Sequence, residues 1–287
     1  MPPRVTVILL TCNRTAYVRQ ALAGLLKQTF SEWTLTASDC SIDPAIRAEI
    51  HTIMEEHRRN DAAHKTRFIQ QAERVCQSEH LRLALQGVET PYVALLDDDD
   101  IWMPDHLERA CAWLDRSPRH GLAISNGRVI DADGVEQGWT NSREDPLPES
   151  GNLQGWLRLF MTSFFGSTSG YVFRREAIEN HTFFATSMVD VHLALSILLN
   201  RYQIVGYPEA SYFYRVHRAS SYIKGAQVVR DRHDLRLWLF RQQGLRIAGR
   251  FPLFPLLVVK SAGAKAMDTF RDWLGKGWQV GHEQRGP

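Results

Sequence analysis

Four aspartates, Asp97 to Asp100, stand directly behind the apolar segment Tyr92-Val93-Ala94-Leu95-Leu96 and directly before Ile101-Trp102-Met103. Adjacent carboxylates repel one another, and most acidic runs are solvated faces or tails. Apolar flanks on both sides place this one at the end of a buried strand instead. Two roles suit it. A hard divalent cation, Mg²⁺ or Mn²⁺, takes carboxylate oxygens and leaves positions for water and phosphate; one or two aspartates would bind the ion and the others would accept hydrogen bonds from ligand hydroxyls. The alternative is a solvated turn that caps the strand. Spacing alone leaves both open.

Other polar residues follow apolar runs in the same way. Thr11-Cys12-Asn13-Arg14 comes after Val5 to Leu10, and Ser38-Asp39-Cys40-Ser41 after Trp33 to Ala37. Asp39 is placed either to meet a ligand or to cap a turn with Ser41. Gly166 to Gly170 lacks the lysine and the spacing of a phosphate loop, which leaves a pocket-lining turn or a plain glycine-flanked one. Trp102 reads as a core or pocket-wall aromatic. The four cysteines, Cys12, Cys40, Cys76 and Cys111, form no CxxC pair, so neither a zinc site nor a disulfide framework is indicated, in keeping with a reducing cytoplasm.

Positioning these groups requires strands and helices in alternation. Val5 to Leu10 reads as a central strand covered on both faces. A helix carrying Val18, Leu22, Leu25 and Leu26 follows at helical spacing. Next come a strand at Trp33 to Ala37, a helix from Pro44 to Arg58 with proline in its first turn, a strand at Thr66 to Ile69, and a helix at Glu79 to Gly87. Tyr92 to Leu96 is the fourth strand and Pro104 to Leu114 the next helix. Such alternation predicts an α/β fold with a mostly parallel sheet flanked by helices, and ligands of such sheets sit beyond the carboxyl ends of the strands. Thr11, Asp39 and Asp97 to Asp100 all fall there.

The second half is less regular. Strands are expected at Leu122 to Asn126, Arg128 to Asp131, Tyr171 to Arg174 and Ser211 to Arg215, with a hairpin turn at Asp133-Gly134. Helices are expected near Leu153 to Met161 and at Val189 to Asn200, and an exposed loop at Asn141 to Gly151. With 287 residues, 44% hydrophobic and 23% charged, the chain can bury a sizeable core. Its charge of +2 is unevenly spread: from Arg215 onward 14 Lys+Arg face 5 Asp+Glu, and before it 20 face 27. No stretch has the roughly 18 apolar residues of a membrane span, and the N-terminal apolar run is too short for a signal sequence.

In order along the chain, VTVILLTCNR, ASDCSID, LLDDDDIWMPDHL, GSTSGYVFRR, MVDVHL and YFYRVHRASS resemble the glycosyltransferase family 2 enzymes of the GT-A fold over roughly Val5 to Ser221. The resemblance implies a GT-A (Rossmann-like) catalytic domain, residues 1–221, and leaves 222–287 as a basic helical C-terminal extension. It implies that Thr11, Asn13 and Arg14 open a nucleotide pocket and that Asp39 meets the base, typically uracil. Asp97 and Asp98 would lie near the ribose, Asp99 would be the metal ligand with His217 approaching the metal or diphosphate, and Asp190 would be the catalytic base. His192, on the same helix, would be structural or acceptor-facing. The chain departs from the family pattern at Cys12, Cys40, Arg82 and Val189.

The implied reaction is inverting transfer of a sugar from a nucleotide sugar, UDP-linked by the match at Asp39, to a hydroxyl of a glycan or lipid-linked acceptor, assisted by Mn²⁺ or Mg²⁺. A nucleotidyltransferase would want a Gly-rich basic loop after the first strand, and LLTCNRTAYV offers none. A catalytically degenerate nucleotide-sugar or glycan-binding subunit is opposed by the presence of Asp39, Asp99 and Asp190. In the tail, Val228, Leu235, Trp238, Leu239 and Leu245, then Val259, Ala262, Ala266, Phe270 and Trp273, make apolar stripes among arginines. These stripes either pack on the catalytic domain or a second copy of the chain, or lay a cytoplasmic protein on the inner face of an anionic membrane. No nucleic-acid-binding module is recognisable.

Overall fold

The computed structural model describes residues 2–140, 167–179 and 189–217. The chain divides into two compact units, Met1–Ile223 and Lys224–Pro287. All described residues belong to the first. The loop expected at Asn141 to Gly151, the helix near Leu153 to Met161, Gly166 and the apolar stripes of the tail lie outside them.

Strands β1 (Val5–Thr11), β2 (Trp33–Asp39), β3 (Thr66–Gln70) and β4 (Tyr92–Asp97) alternate with helices α1 (Val18–Leu26), α2 (Pro44–Asn60) and α3 (Gln77–Ala84). After them come β5 (Ile101–Trp102), α4 (His106–Asp115), β6 (His120–Ile130), β7 (Glu136–Trp139), β8 (Tyr171–Arg174), α5 (Val189–Leu199) and β9 (Gln203–Arg215). Single 3₁₀ turns precede and follow β8, at Thr168–Gly170 and Arg175–Ile178. One nine-stranded sheet runs β3-β2-β1-β4-β8-β6-β9-β5, with β7 hydrogen-bonded to β6. The block β3-β2-β1-β4 is parallel throughout, as the alternation predicts, and β6 is parallel to β9, whereas β8 is antiparallel to both of its neighbours.

Local chemistry explains most boundaries. Asp43 caps α2, its carboxylate accepting from the Ala45 and Ile46 amides at 2.8 and 3.4 Å, with Pro44 in the first turn where its missing N–H costs nothing. Val18, Leu22 and Leu25 of α1 are buried under the sheet, but Leu26 is 41% exposed and lies outside the stripe that its spacing suggested. Helix α3 ends at Ala84, short of Gly87, which takes φ +75°. The core joins Val5, Val7, Leu9, Leu35, Ala94 and Leu96 of the parallel strands to Leu22 and Leu25 of α1, Ile50 and Ile53 of α2, and Leu107 and Leu114 of α4.

Two expectations are corrected and one strand is added. The two strands read on either side of Gly127 are one continuous β6, joined to β7 through the turn at Gly134, which has φ +86°. Strand β9 starts at Gln203 rather than Ser211 and runs for 13 residues. Two residues behind the aspartate run, Ile101 and Trp102, pair antiparallel with Phe213 and Tyr212, so the end of β9 lies beside the acidic turn.

Candidate active site

Register brings the strand ends together. Thr11 is opposite Asp39 across β1 and β2, and Leu10 is opposite Asp97 across β1 and β4. The turn Asp97 to Asp100, closed by an Asp100 N–H bond to the Asp97 carbonyl at 3.3 Å, therefore stands beside the residues leaving β1. The strand order reverses at β1, with β2 and β3 on one side of it and β4 on the other, and such a switch point is the crevice where open α/β sheets bind ligands.

Asp98, Asp99 and Asp100 are buried to 9% exposure or less. Ionised carboxylates there need partners. Arg14 supplies two bonds, from one guanidinium nitrogen to Asp98 Oδ1 and from the other to Asp99 Oδ2 at 2.6 Å. His217 Nε2 lies 3.0 Å from the same Asp99 oxygen, its ring 5.0 Å from that of Tyr17. Asp100 accepts from the Arg215 amide at 2.9 Å and from Ser167 Oγ at 3.1 Å. Asp97 accepts from Ser167 and Thr168, and its amide donates to neither; instead it donates to Ser169 Oγ at 3.0 Å. The second oxygen of Asp98, Oδ2, is buried with no hydrogen-bond partner among the described residues.

Burial raises the Asp98 carboxyl to about 7 despite Arg14, and it raises Asp97 and, more strongly, Asp100, with Asp99 adding repulsion in each case. For Arg14, burial works against the charge, but the fields of Asp98, Asp99 and Asp97 outweigh it and hold the guanidinium above its usual range. The turn is short of positive charge, and a dication fits it. Asp99 and His217 offer an oxygen and a nitrogen donor suited to Mn²⁺, although among the described residues no group of three or more His, Cys, Asp or Glu side chains is placed to hold a metal.

Around the β1–β2 exit, Asn13 adopts φ +55°, a left-handed conformation that asparagine tolerates. Its amide donates to Ser41 Oγ at 2.7 Å and its Oδ1 accepts from the Ile42 amide at 3.2 Å. Thr11 Oγ1 donates to the Arg14 carbonyl at 3.1 Å. These bonds fix the turn that aims Arg14 at the aspartates. Asp39 is fully buried and already engaged: Oδ1 accepts from the Ser41 amide and hydroxyl at 3.0 and 2.6 Å, and Oδ2 from Gln70 Nε2 at 3.1 Å. The capping turn with Ser41 thus exists in the structure.

Asp190, half-buried in the first turn of α5, is close enough to Tyr171 of β8 for its charge to add to the burial that lifts the Tyr171 phenol well above its usual range. His192 is fully buried. Trp102 is a core residue, its indole donating to the Ser169 carbonyl at 2.8 Å and its ring stacked on His106.

Two sets of residues escaped the sequence. Ser167, Thr168 and Ser169 turn three hydroxyls onto Asp97 and Asp100, a pattern hidden inside a glycine-flanked turn. Arg215 is 2% exposed and donates to the carbonyls of Asp99, Asp131 and Ala132 and to Gln20 Oε1. Its only advance signal was its place two residues before His217.

Comparisons with known proteins bear on the fold and the family. Residues 6–182 match the family model for glycosyl transferase family 2. Protein CgeD of Bacillus subtilis (strain 168) is 24% identical over 133 residues, which are 45% of this chain and 30% of that protein. S. aureus TarS 1-349, solved in complex with UDP-GlcNAc, superposes with a TM-score of 0.63 at 19% identity, covering 85% of this chain and 66% of that one. The mannosyltransferase PcManGT from Pyrobaculum calidifontis, solved with GDP-Man and Mn²⁺, gives 0.63 at 17% identity, covering 98% and 81%. These structural likenesses give the fold as GT-A, and the family model, spanning more than half of the sequence, shows that the chain belongs to glycosyl transferase family 2.

Proposed function

We propose that the chain is a nucleotide-sugar-dependent glycosyltransferase whose catalytic domain is residues 1–221, with 222–287 as a basic extension. The observation that carries this reading is the convergence of the β1, β2 and β4 ends on a cation-hungry aspartate turn. The donors bound to TarS and to the mannosyltransferase, a UDP-sugar and a GDP-sugar with Mn²⁺, support it.

Thr11, Asn13 and Arg14 frame the nucleotide side of the crevice. Asp39 meets the base by exchanging the Gln70 amide at Oδ2 for an N–H of the ligand, while Ser41 keeps Oδ1 fixed. Asp97 faces the ribose, with Asp98, buried beneath Arg14, keeping that guanidinium beside it, and Asp99 and His217 would hold Mn²⁺ or Mg²⁺. The ion, when bound there, would supply Lewis acidity at the leaving diphosphate, worth several kcal/mol. Asp190 takes the proton from the acceptor hydroxyl of a glycan or lipid-linked sugar, giving inverted configuration by direct displacement.

The test is a thermal-shift screen of UDP- and GDP-sugars with Mn²⁺, since a ligand of the native state raises stability with the logarithm of its concentration over Kd. A shift with at least one nucleotide sugar, lost in Asp99→Ala, is expected. In Asp190→Asn the shift should remain while transfer falls by about 10²- to 10⁴-fold, the usual worth of a general base. No shift with any nucleotide sugar would refute the donor reading, and near-wild-type turnover in Asp190→Asn would remove that residue from its role.

A further inference from the structure

We propose that Arg14 is a tethered counter-cation that occupies the divalent-ion site when no ion is bound, and that ion binding displaces its guanidinium from Asp99. The inference rests on the reading of Asp99 and His217 as the cation ligands and extends it to a residue that competes with the ion.

Two donors converge on one oxygen, with Arg14 at 2.6 Å and His217 at 3.0 Å from Asp99 Oδ2. An ion shared by Asp99 and His217 meets the carboxylate on the oxygen that faces the His217 ring, which is the one Arg14 holds, so the Arg14 bond gives way to it. The chain is built for such an exchange. The backbone of Arg14 is pinned by Thr11 and by the left-handed Asn13, and the Asp98 side chain has no exposure at all. The Arg14 side chain, by contrast, is 29% exposed and the Asp99 side chain 12%. When the bond breaks, the long guanidinium arm is therefore the partner free to swing outward. Its charge beside a dication is repulsive, while an anionic diphosphate on the same ion offers it a new bidentate partner. Arg14 would thus pass from carboxylates to phosphate as the ion arrives, keeping the buried acids neutralised at each stage.

The experiment measures Mn²⁺ alone, without nucleotide, by the loss of the free-ion electron paramagnetic resonance signal during titration of the full chain. Wild type and Asp99→Ala come first: saturable binding that Asp99→Ala abolishes establishes the site. Arg14→Gln should then bind Mn²⁺ about tenfold more tightly or better, by removal of a competing like charge. Its metal-free melting temperature should drop and its Mn²⁺-induced gain should exceed that of wild type. Should Arg14→Gln fail to fold, Arg14→Lys keeps the charge but cannot bridge two carboxylates, and a smaller tightening is expected. Unchanged or weaker Mn²⁺ affinity in the folded Arg14 variants, with wild type binding normally, overturns the competition alone. Absence of Mn²⁺ binding in wild type overturns the cation site itself and the inference with it.

Discussion

Asp97 to Asp100 showed in the sequence because like charges in an apolar setting demand a reason, and Arg14 and His217 showed with the motifs around them, whereas Arg215, which closes over the same turn, did not. A buried arginine looks the same in a sequence as an exposed one. Arg215 spends its guanidinium on three main-chain carbonyls and Gln20, and lies 4.4 Å from the Tyr17 ring. Lysine carries the charge but not the planar fork. Arg215→Lys is therefore expected to lose about 1–3 kcal/mol for each carbonyl left without a donor, read as a lower urea midpoint. His80 presents another hidden group, 3% exposed, with Nε2 2.9 Å from Ser38 Oγ. Burial depresses it from 6.5 to about 4, with Asp39 partly opposing. The unfolded chain thus takes up this proton first. The contribution of neutral His80 to stability is complete above about 6.5 and is lost as pH falls through about 4. His80→Gln should show a shallower decline in urea midpoint between these limits than wild type; equal slopes would mean that His80 is not buried in its neutral form.

At the scale of elements, the parallel half was legible because each of β1, β2 and β4 is a short apolar run and α2 carries its own cap and proline. Strand β9 was not, because Gly206 and Pro208 interrupt it. The sheet absorbs them in an irregularity: Tyr207 is opposite Ser125, yet Ala210 is opposite Asn126. Residues left out of the ladder there place proline where no inter-strand N–H is needed. Gly127 misled in the other direction, looking like a break when it clears space. A Cβ on it would lie 2.5 Å from the Tyr212 ring, and one on Gly170 2.8 Å from the same ring. Tyr212 is fully buried, and its hydroxyl accepts from the Ser167 amide at 3.3 Å, so it cannot move aside cheaply. Gly127→Ala should cost about 1–3 kcal/mol by overpacking, checked by chemical denaturation. It should also loosen the Ser167–Ser169 hydroxyls from Asp97 and Asp100.

Across the whole molecule, the ordered motifs sufficed for the fold class and for the placement of Thr11, Asp39 and Asp97 at adjacent strand ends, since a parallel sheet puts all its carboxyl ends on one edge. How the second half closes against that edge was not legible, because β8 and β9 enter the sheet out of sequence order. Among the described residues no helix is long and apolar enough to cross a membrane. Asp99 and His217 meet across 118 positions of sequence. Contacts that distant form late, after the entropy of closing a long loop has been overcome. During synthesis the four aspartates therefore emerge from the ribosome well ahead of Arg215 and His217. Until the last strand arrives, Arg14 alone of these cations is at hand to balance the carboxylates, and the crevice gains its Arg215 and His217 wall only when β9 joins the sheet.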